Sequence, residues 1–239
     1  MSVPLPSSST LAQTVAATQA ATRADLLRLL AVAFIDPTAA SAAQLADGSY
    51  LAQLNAACAE LGGAWPGAAE ALAPLAAAQP GLAATSAEEL LHALKVEYAR
   101  LFIGPSKPAA SPYATAYGAR HKEGATLLMV SPEALAVEAA YREAGVALAA
   151  NRREPPDHFA TELEFLYYLC QQEARCWAAG AEDEAALWQR RQAAFLDRHL
   201  LPWGAAFCRQ VQEASHHPFY QALAHFAGAF LQVLRGEAT

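Results

Sequence analysis

The chain is 239 residues long, enough for one domain with a sizeable core, and 54% of it is hydrophobic against 16% charged. Its formal net charge is -7 and no block of Lys and Arg stands out, which excludes a phosphate-tracking surface and, with it, nucleic acid as an expected partner. Alanine and leucine dominate while valine and isoleucine are scarce, so the composition predicts an all-α fold, a single helical-bundle domain of roughly nine to eleven helices.

Residues 1–10, with two prolines and three consecutive serines, predict a disordered tail. Weak order is expected as far as residue 18, leaving 19–239 as the helical domain. Met1 to Thr22 lacks an early positive charge and a continuous apolar run, so no secretory signal is expected. No stretch reaches the roughly 20 uninterrupted apolar residues of a membrane span, and a soluble cytoplasmic protein follows as the expectation. The cysteines, Cys58, Cys170, Cys176 and Cys208, are scattered without metal-ligand spacing and read as small core residues of a reducing compartment.

Leu26, Leu29, Leu30 and Ala33 give the first helix its apolar face, and Asp36-Pro37 ends it. A second helix runs through Tyr50, Leu54, Cys58 and Leu61 to the stop at Gly62-Gly63. After the Trp65-Pro66-Gly67 turn, a short alanine-rich helix is expected to break at Gln79-Pro80-Gly81. Ser86 and Glu89 form a capping box for a helix that carries Leu90, Leu94, Tyr98, Leu101 and Phe102 and stops at Gly104-Pro105. Ser106 to Tyr117 reads as a stiff loop, proline-limited and carrying Tyr113 and Tyr117. Residues 119–130 are expected to be extended or irregular, the one place where sheet content is allowed. Ser131-Pro132-Glu133 starts another helix, which Gly145 closes.

The next helix start organises the chain. In Glu154-Pro155-Pro156-Asp157-His158 two prolines fix the backbone ahead of Phe159, Leu163, Leu166 and Cys170, an apolar stripe at helical spacing. His158 and Glu162, four apart, share the neighbouring face, and Asp157 stands where an N-cap is expected. This helix is expected to run to about Ala179. A further one spans Glu182 to Leu200, kinked or interrupted at Pro202, and Trp203 to Glu213 and Phe219 to Leu234 complete the bundle.

Chemical motifs are few. His158 and Glu162 have the spacing of a helical metal pair but no second ligand pair accompanies them, and neither a Gly-x-Ser-x-Gly nucleophile turn nor a phosphate-cradling glycine loop occurs. No metal, no cofactor and no catalysis are therefore expected. The alternative is a helical nucleotide hydrolase or metal-dependent enzyme using Asp157, His158 and Glu162.

Tyr98-Ala99-Arg100-Leu101-Phe102-Ile103-Gly104-Pro105, then Pro112-Tyr113-Ala114-Thr115-Ala116-Tyr117, then Glu154-Pro155-Pro156-Asp157-His158 followed by Glu162-Leu163-Glu164-Phe165, resemble in order and separation the TorD/DmsD family of redox-enzyme maturation chaperones. Phe195-Leu196-Asp197-Arg198-His199-Leu200-Leu201-Pro202-Trp203 and Pro218-Phe219-Tyr220 resemble that family's C-terminal pattern, so the likeness spans residues 23 to 235. The resemblance implies an all-helical cytoplasmic chaperone, a monomer or dimer. It would bind the twin-arginine signal peptide of a molybdenum-containing oxidoreductase subunit and hold it for cofactor insertion before export. It also implies weak guanine-nucleotide binding. Carried over by motif, the peptide-binding positions are Pro112, Tyr113, Pro155, Asp157 and His158. The family often has a larger aromatic where Tyr113 stands and a Glu-Ser pair where Ala114-Thr115 stands. On physical grounds a receptor for a basic pair followed by an apolar run needs a carboxylate beside an apolar wall. Asp157 and Glu162 are expected to supply the charge, and Phe102, Tyr113 and Tyr117 the wall.

Overall fold

Helices form where the chain supplies both a cap and an apolar face, and the computed structural model describes residues 8–104, 107–118, 131–148 and 154–237. In chain order the α-helices are α1 (Ser8–Ala33), α2 (Ala39–Ala46), α3 (Ser49–Leu61), α4 (Ala68–Ala83), α5 (Ala87–Tyr98), α6 (Pro132–Glu143), α7 (Phe159–Ala178), α8 (Glu182–Phe195), α9 (Leu201–Ala214) and α10 (Pro218–Glu237). A π turn at Ala99–Ile103 extends α5, and another at Leu196–Leu200 joins α8 to α9 as one bent rod, with Pro202 in the first turn of α9. Among the described residues the only extended pairing is an isolated antiparallel bridge between Tyr113 and His158. The expected extended segment 119–130 lies outside the described residues. None of the described helices is long and apolar enough to cross a membrane.

Several expectations are corrected. The first helix begins at Ser8, so residues 8–18 are helical rather than tail. Ala, Gln and Thr sustain it there, and Gln13 Nε2 donates to Glu182 Oε1 across the helix start at 2.8 Å. A short helix, α2, precedes the expected second one. Thr38 and Ser41 cap it reciprocally, the Ser41 amide donating to Thr38 Oγ1 at 3.2 Å and the Thr38 amide to Ser41 Oγ at 2.9 Å. Helix α4 runs through both Pro74 and Pro80 instead of breaking. Ala76, whose carbonyl loses its donor to Pro80, lies on the exposed face, while Leu75 and Leu82 are buried and hold the flanking turns.

The core is continuous. Helix α7 packs most extensively against α1, with α8 on its other flank, and α10 packs on α9 and α4. The α7 stripe is fully internal: Phe159 and Leu163 are 0% exposed, and each such side chain contributes about 1.5–3 kcal/mol of burial. One polar knot crosses this interior. Glu173 of α7 accepts from Arg23 Nη2 of α1 at 2.9 Å, from Gln189 and Gln192 of α8 at 2.8 Å each, and from Trp177 Nε1 at 3.2 Å. The first turn of α7 sits over an aromatic cluster, with Phe159 4.9 Å from Phe34, 4.6 Å from Phe207 and 5.6 Å from Trp203 between ring centroids. That cluster fixes where the backbone ahead of α7 must emerge.

Candidate functional site

The double proline makes the chain turn before α7 instead of entering the helix directly. The His158 amide donates back to the Pro155 carbonyl at 3.2 Å, and the Tyr141 hydroxyl of α6 secures the Pro156 carbonyl at 2.7 Å. Residues 157–159 then pair with the loop that follows Gly104. The Phe159 amide donates to Pro112 O at 2.8 Å and the Ala114 amide to Asp157 O at 3.0 Å. This bridge brings together two motifs about forty residues apart in sequence.

His158 caps α7, its Nδ1 accepting from the Ala160 amide at 3.1 Å. The expected capping role of Asp157 is thereby corrected. An acceptor Nδ1 places the ring proton on Nε2, which faces Glu154 Oε2 at 3.8 Å. Asp157, only 3% exposed, turns instead to the loop: Oδ2 accepts from the Thr115 amide at 3.0 Å and from the Thr115 hydroxyl. The Ser131 hydroxyl meets the same Thr115 oxygen while accepting from the Ala134 amide at 2.9 Å, so the cap of α6 and the approach to α7 share one chain of hydrogen bonds.

Glu162 lies behind this layer at 0% exposure, and neither carboxyl oxygen has a hydrogen-bond partner among the described residues. Burial first, and the neighbouring Asp157 second, push its carboxyl well above the usual range. The Trp203 indole N–H lies close enough to work against that shift, yet it makes no hydrogen bond to the carboxyl and is itself unsatisfied among the described residues. Glu162 is therefore not an accessible anion, contrary to expectation. Buried and without a hydrogen-bond donor among the described residues, the carboxyl has neither solvent nor a partner to favour its charged form.

The accessible carboxylate is Glu154. Its side chain is 32% exposed, and the half-buried Tyr113 donates its hydroxyl to Oε2 at 3.1 Å while its ring meets the His158 imidazole edge-on at 5.2 Å. Burial, and then the Glu154 charge, hold the Tyr113 phenol above its ordinary value, so it remains a donor. Exposed Pro155 borders this edge, whereas Pro112 is buried beneath it. Tyr117 stacks at 5.3 Å on Trp203 and donates to Gln210 Oε1 at 2.6 Å, so it belongs to the α9 side of the site. Phe102 is not a wall residue. It is 5% exposed and enclosed by Tyr98, Phe207 and Tyr220, because the π turn rotates it inward.

The structure thus gathers Pro112, Tyr113, Asp157 and His158 into one layer, with Glu162 sealed behind it, Phe102 in the core and Tyr117 to the side. Sequence reasoning gave no site role to Glu154, Thr115, Ser131 or Trp203. Glu154 stood within the quoted motif and its charge was the available signal; Thr115 and Asp157, 42 positions apart, carried none. Asp157, His158 and Glu162 are all buried, at 3%, 1% and 0% exposure. Among the described residues no group of three or more His, Cys, Asp or Glu is placed to hold a metal ion.

Comparison with known proteins points one way. The family model described as Nitrate reductase delta subunit matches residues 55–209. A Tat proofreading chaperone DmsD from Salmonella typhimurium is 29% identical over 163 residues, covering 68% of this chain and 67% of that protein. A chaperone protein TorD from Aliivibrio salmonicida is 29% identical over 140 residues, 59% of this chain and 61% of its own. A selenate reductase assembly chaperone protein from Thauera selenatis is 43% identical over 65 residues, 27% of this chain and 33% of that protein.

Proposed function

Because the chain belongs to the Nitrate reductase delta subunit family, we propose that it is a cytoplasmic maturation chaperone that binds the twin-arginine leader of a molybdenum-containing oxidoreductase subunit. It holds that subunit for cofactor insertion before export. The observation that carries this reading is the family match over residues 55–209, with a relative named as a Tat proofreading chaperone matched over 67% of its length and one named as a TorD chaperone over 61%. The geometry supports it with an edge suited to a guanidinium. Glu154 offers a half-exposed carboxylate, Tyr113 fixes one of its oxygens, and the Tyr113 ring gives the arginine a flat face to lie on. Asp157 and His158 act from underneath: they set the backbone on which Tyr113 and Glu154 stand, through the bridge at 113 and 158 and the hydrogen bonds to Thr115.

Isothermal titration of the full chain with a leader peptide containing two adjacent arginines tests the reading. Saturable binding is expected, weakened by replacing both arginines with lysine, because lysine lacks the planar fork that matches a carboxylate. Glu154→Gln should weaken binding about tenfold at low salt and less at higher salt, since the lost attraction is partly screened. Absence of binding to any twin-arginine leader, or equal affinity for the lysine peptide and in Glu154→Gln, would reject the assignment.

A further inference from the structure

A small cavity opens where the end of α6 meets α7 and α8. Its floor is apolar: Phe165 of α7, Phe195 of α8 and Ala144, just past α6, are 6%, 3% and 8% exposed. Its wall along α8 and the following π turn is basic, made by Arg191, Arg198 and His199, and the exposed Glu143 of α6 also borders it. The volume is about 90 Å³, room for a short branched acyl group rather than a drug-sized molecule. The floor is already built. Tyr141 of α6 lies 4.4 Å from Phe165 and 5.9 Å from Phe195 between ring centroids, and its hydroxyl donates to the Pro156 carbonyl at 2.7 Å, which fixes α6 against α7 and α8 beneath the opening.

The basic groups are not neutralised within the chain. Among the described residues neither Arg191 nor Arg198 takes part in an ion pair. Arg191, half-buried, lies over the Trp188 ring with its guanidinium carbon 4.5 Å from the centroid, and Arg198 is exposed. In a chain of net charge -7 this is a local reversal of sign. His199 adds no charge at neutral pH: burial first, then Arg198, hold its imidazole below the ordinary value, with Glu143 acting the other way. Two guanidiniums facing one carboxylate leave a single positive charge, which matches a monoanion and under-compensates a dianion. The guanidinium fork fits a carboxylate, and the aromatic floor, which offers nothing to a bare inorganic anion, suits hydrocarbon.

We propose that this cavity binds a single carboxylate carried on a short apolar group, with the hydrocarbon on Phe165 and Phe195 and the carboxylate at Arg191 and Arg198. Two sources supply that chemistry: a free short-chain carboxylic acid, and the chain terminus of a partner protein ending in a small apolar residue. The site goes beyond leader binding and does not depend on it.

The test is an NMR titration of the full chain, labelled at its alanine methyls, with 2-methylpropanoate. The methyls of Ala140, Ala144 and Ala194, which line the cavity, should shift saturably. The amide 2-methylpropanamide keeps the shape without the charge, and sulfate keeps charge without the hydrocarbon; each should bind at least about tenfold more weakly. Arg198→Gln should weaken the acid about fivefold at low salt and less at higher salt, while Glu143→Gln, which removes the opposing charge, should strengthen it about twofold. Ala194→Leu, folded by circular dichroism, fills the cavity with every charge kept and should abolish the shifts at Ala140 and Ala144. No saturable shift in wild type, equal binding of the acid and either control, or unaltered affinity in both Arg198→Gln and Ala194→Leu would overturn the proposal. A tripeptide, acetyl-Gly-Gly-Val with a free carboxylate, separates the two sources. Binding tighter than that of the acid assigns the cavity to a chain terminus, and weaker binding assigns it to a free acid.

Discussion

Glu162→Gln isolates the energetic cost of the sealed carboxyl. In the folded chain this group is 0% exposed, its oxygens lack partners among the described residues, and burial together with Asp157 raises its pKa. In the unfolded chain it ionises near the ordinary glutamate value of about 4.3. Between those two values the unfolded state binds fewer protons than the native state, so stability must fall as pH rises. Its favourable contribution is complete below the unfolded pKa and is lost progressively toward the folded one. The slope is about 1.4 kcal/mol for each pH unit in that window, or roughly 3–6 °C of melting temperature for a chain of this size. Glutamine keeps the shape and cannot ionise. The difference in melting temperature between wild type and Glu162→Gln should therefore widen in favour of the variant as pH rises above the unfolded value of about 4.3, other titrating groups being common to both. Differential scanning calorimetry or urea titration at half-unit pH steps measures it. A pH-independent difference would show that Glu162 titrates alike in both states, and the picture of a buried acid with a raised pKa would be wrong.

Asp157→Ala should cost about 1–3 kcal/mol of stability by leaving the Thr115 donors without their acceptor, with chemical unfolding as the readout and Asp157→Asn recovering part of the loss. Glu97 behaves oppositely to Glu162 with pH. Burial disfavours its charge, but donors from Arg100, the His216 amide and Ser215 outweigh that and hold it down at about 2, so its stabilisation is present above the unfolded pKa and lost as pH falls toward 2. Acid unfolding of Glu97→Gln should accordingly be shallower between pH 5 and 2, at the cost of lower stability at pH 7. Gly104 has φ +63° and a Cβ there would stand 2.5 Å from the Lys107 carbonyl oxygen, so Gly104→Ala should lose about 2–4 kcal/mol in a denaturant titration and leave Tyr113 less ordered by fluorescence quenching.

Local chemistry was readable in the sequence; long-range competition was not. Ser86 with Glu89, and Ser131 with Pro132, announce helix starts from within four residues, and both stand where expected. The α7 stripe was equally plain, because Phe159, Leu163, Leu166 and Cys170 follow the helical period and all are buried. Helix α2 escaped notice since eight residues rich in alanine give little periodicity, although Thr38 and Ser41 held its signature. The site failed at a different level. Whether Asp157 or His158 caps α7 depends on Thr115, which competes for the aspartate from a distant loop. Whether Glu162 faces solvent depends on Trp203, whose indole closes over it from α9. A pattern confined to one helix carries neither fact, so the motif marked out a candidate site while the exposure of Glu154 at its edge required the fold.

The knot at Glu173 bears on how an alanine- and leucine-rich bundle chooses one alignment. Apolar ridges of such helices fit one another nearly as well after a slide of one turn, because neighbouring turns present similar knobs. Donors from α1, α7 and α8 converge on a single carboxyl only in one register, so Glu173 acts as a locating pin between three rods. A slipped alignment would leave the buried acid and the buried Gln192 without these partners, a penalty of about 1–3 kcal/mol for each orphaned group. Glu173→Leu should then retain its helical content yet populate more than one packing, visible as broadened methyl resonances. Sharp, singly populated resonances in that variant would show that shape alone sets the register.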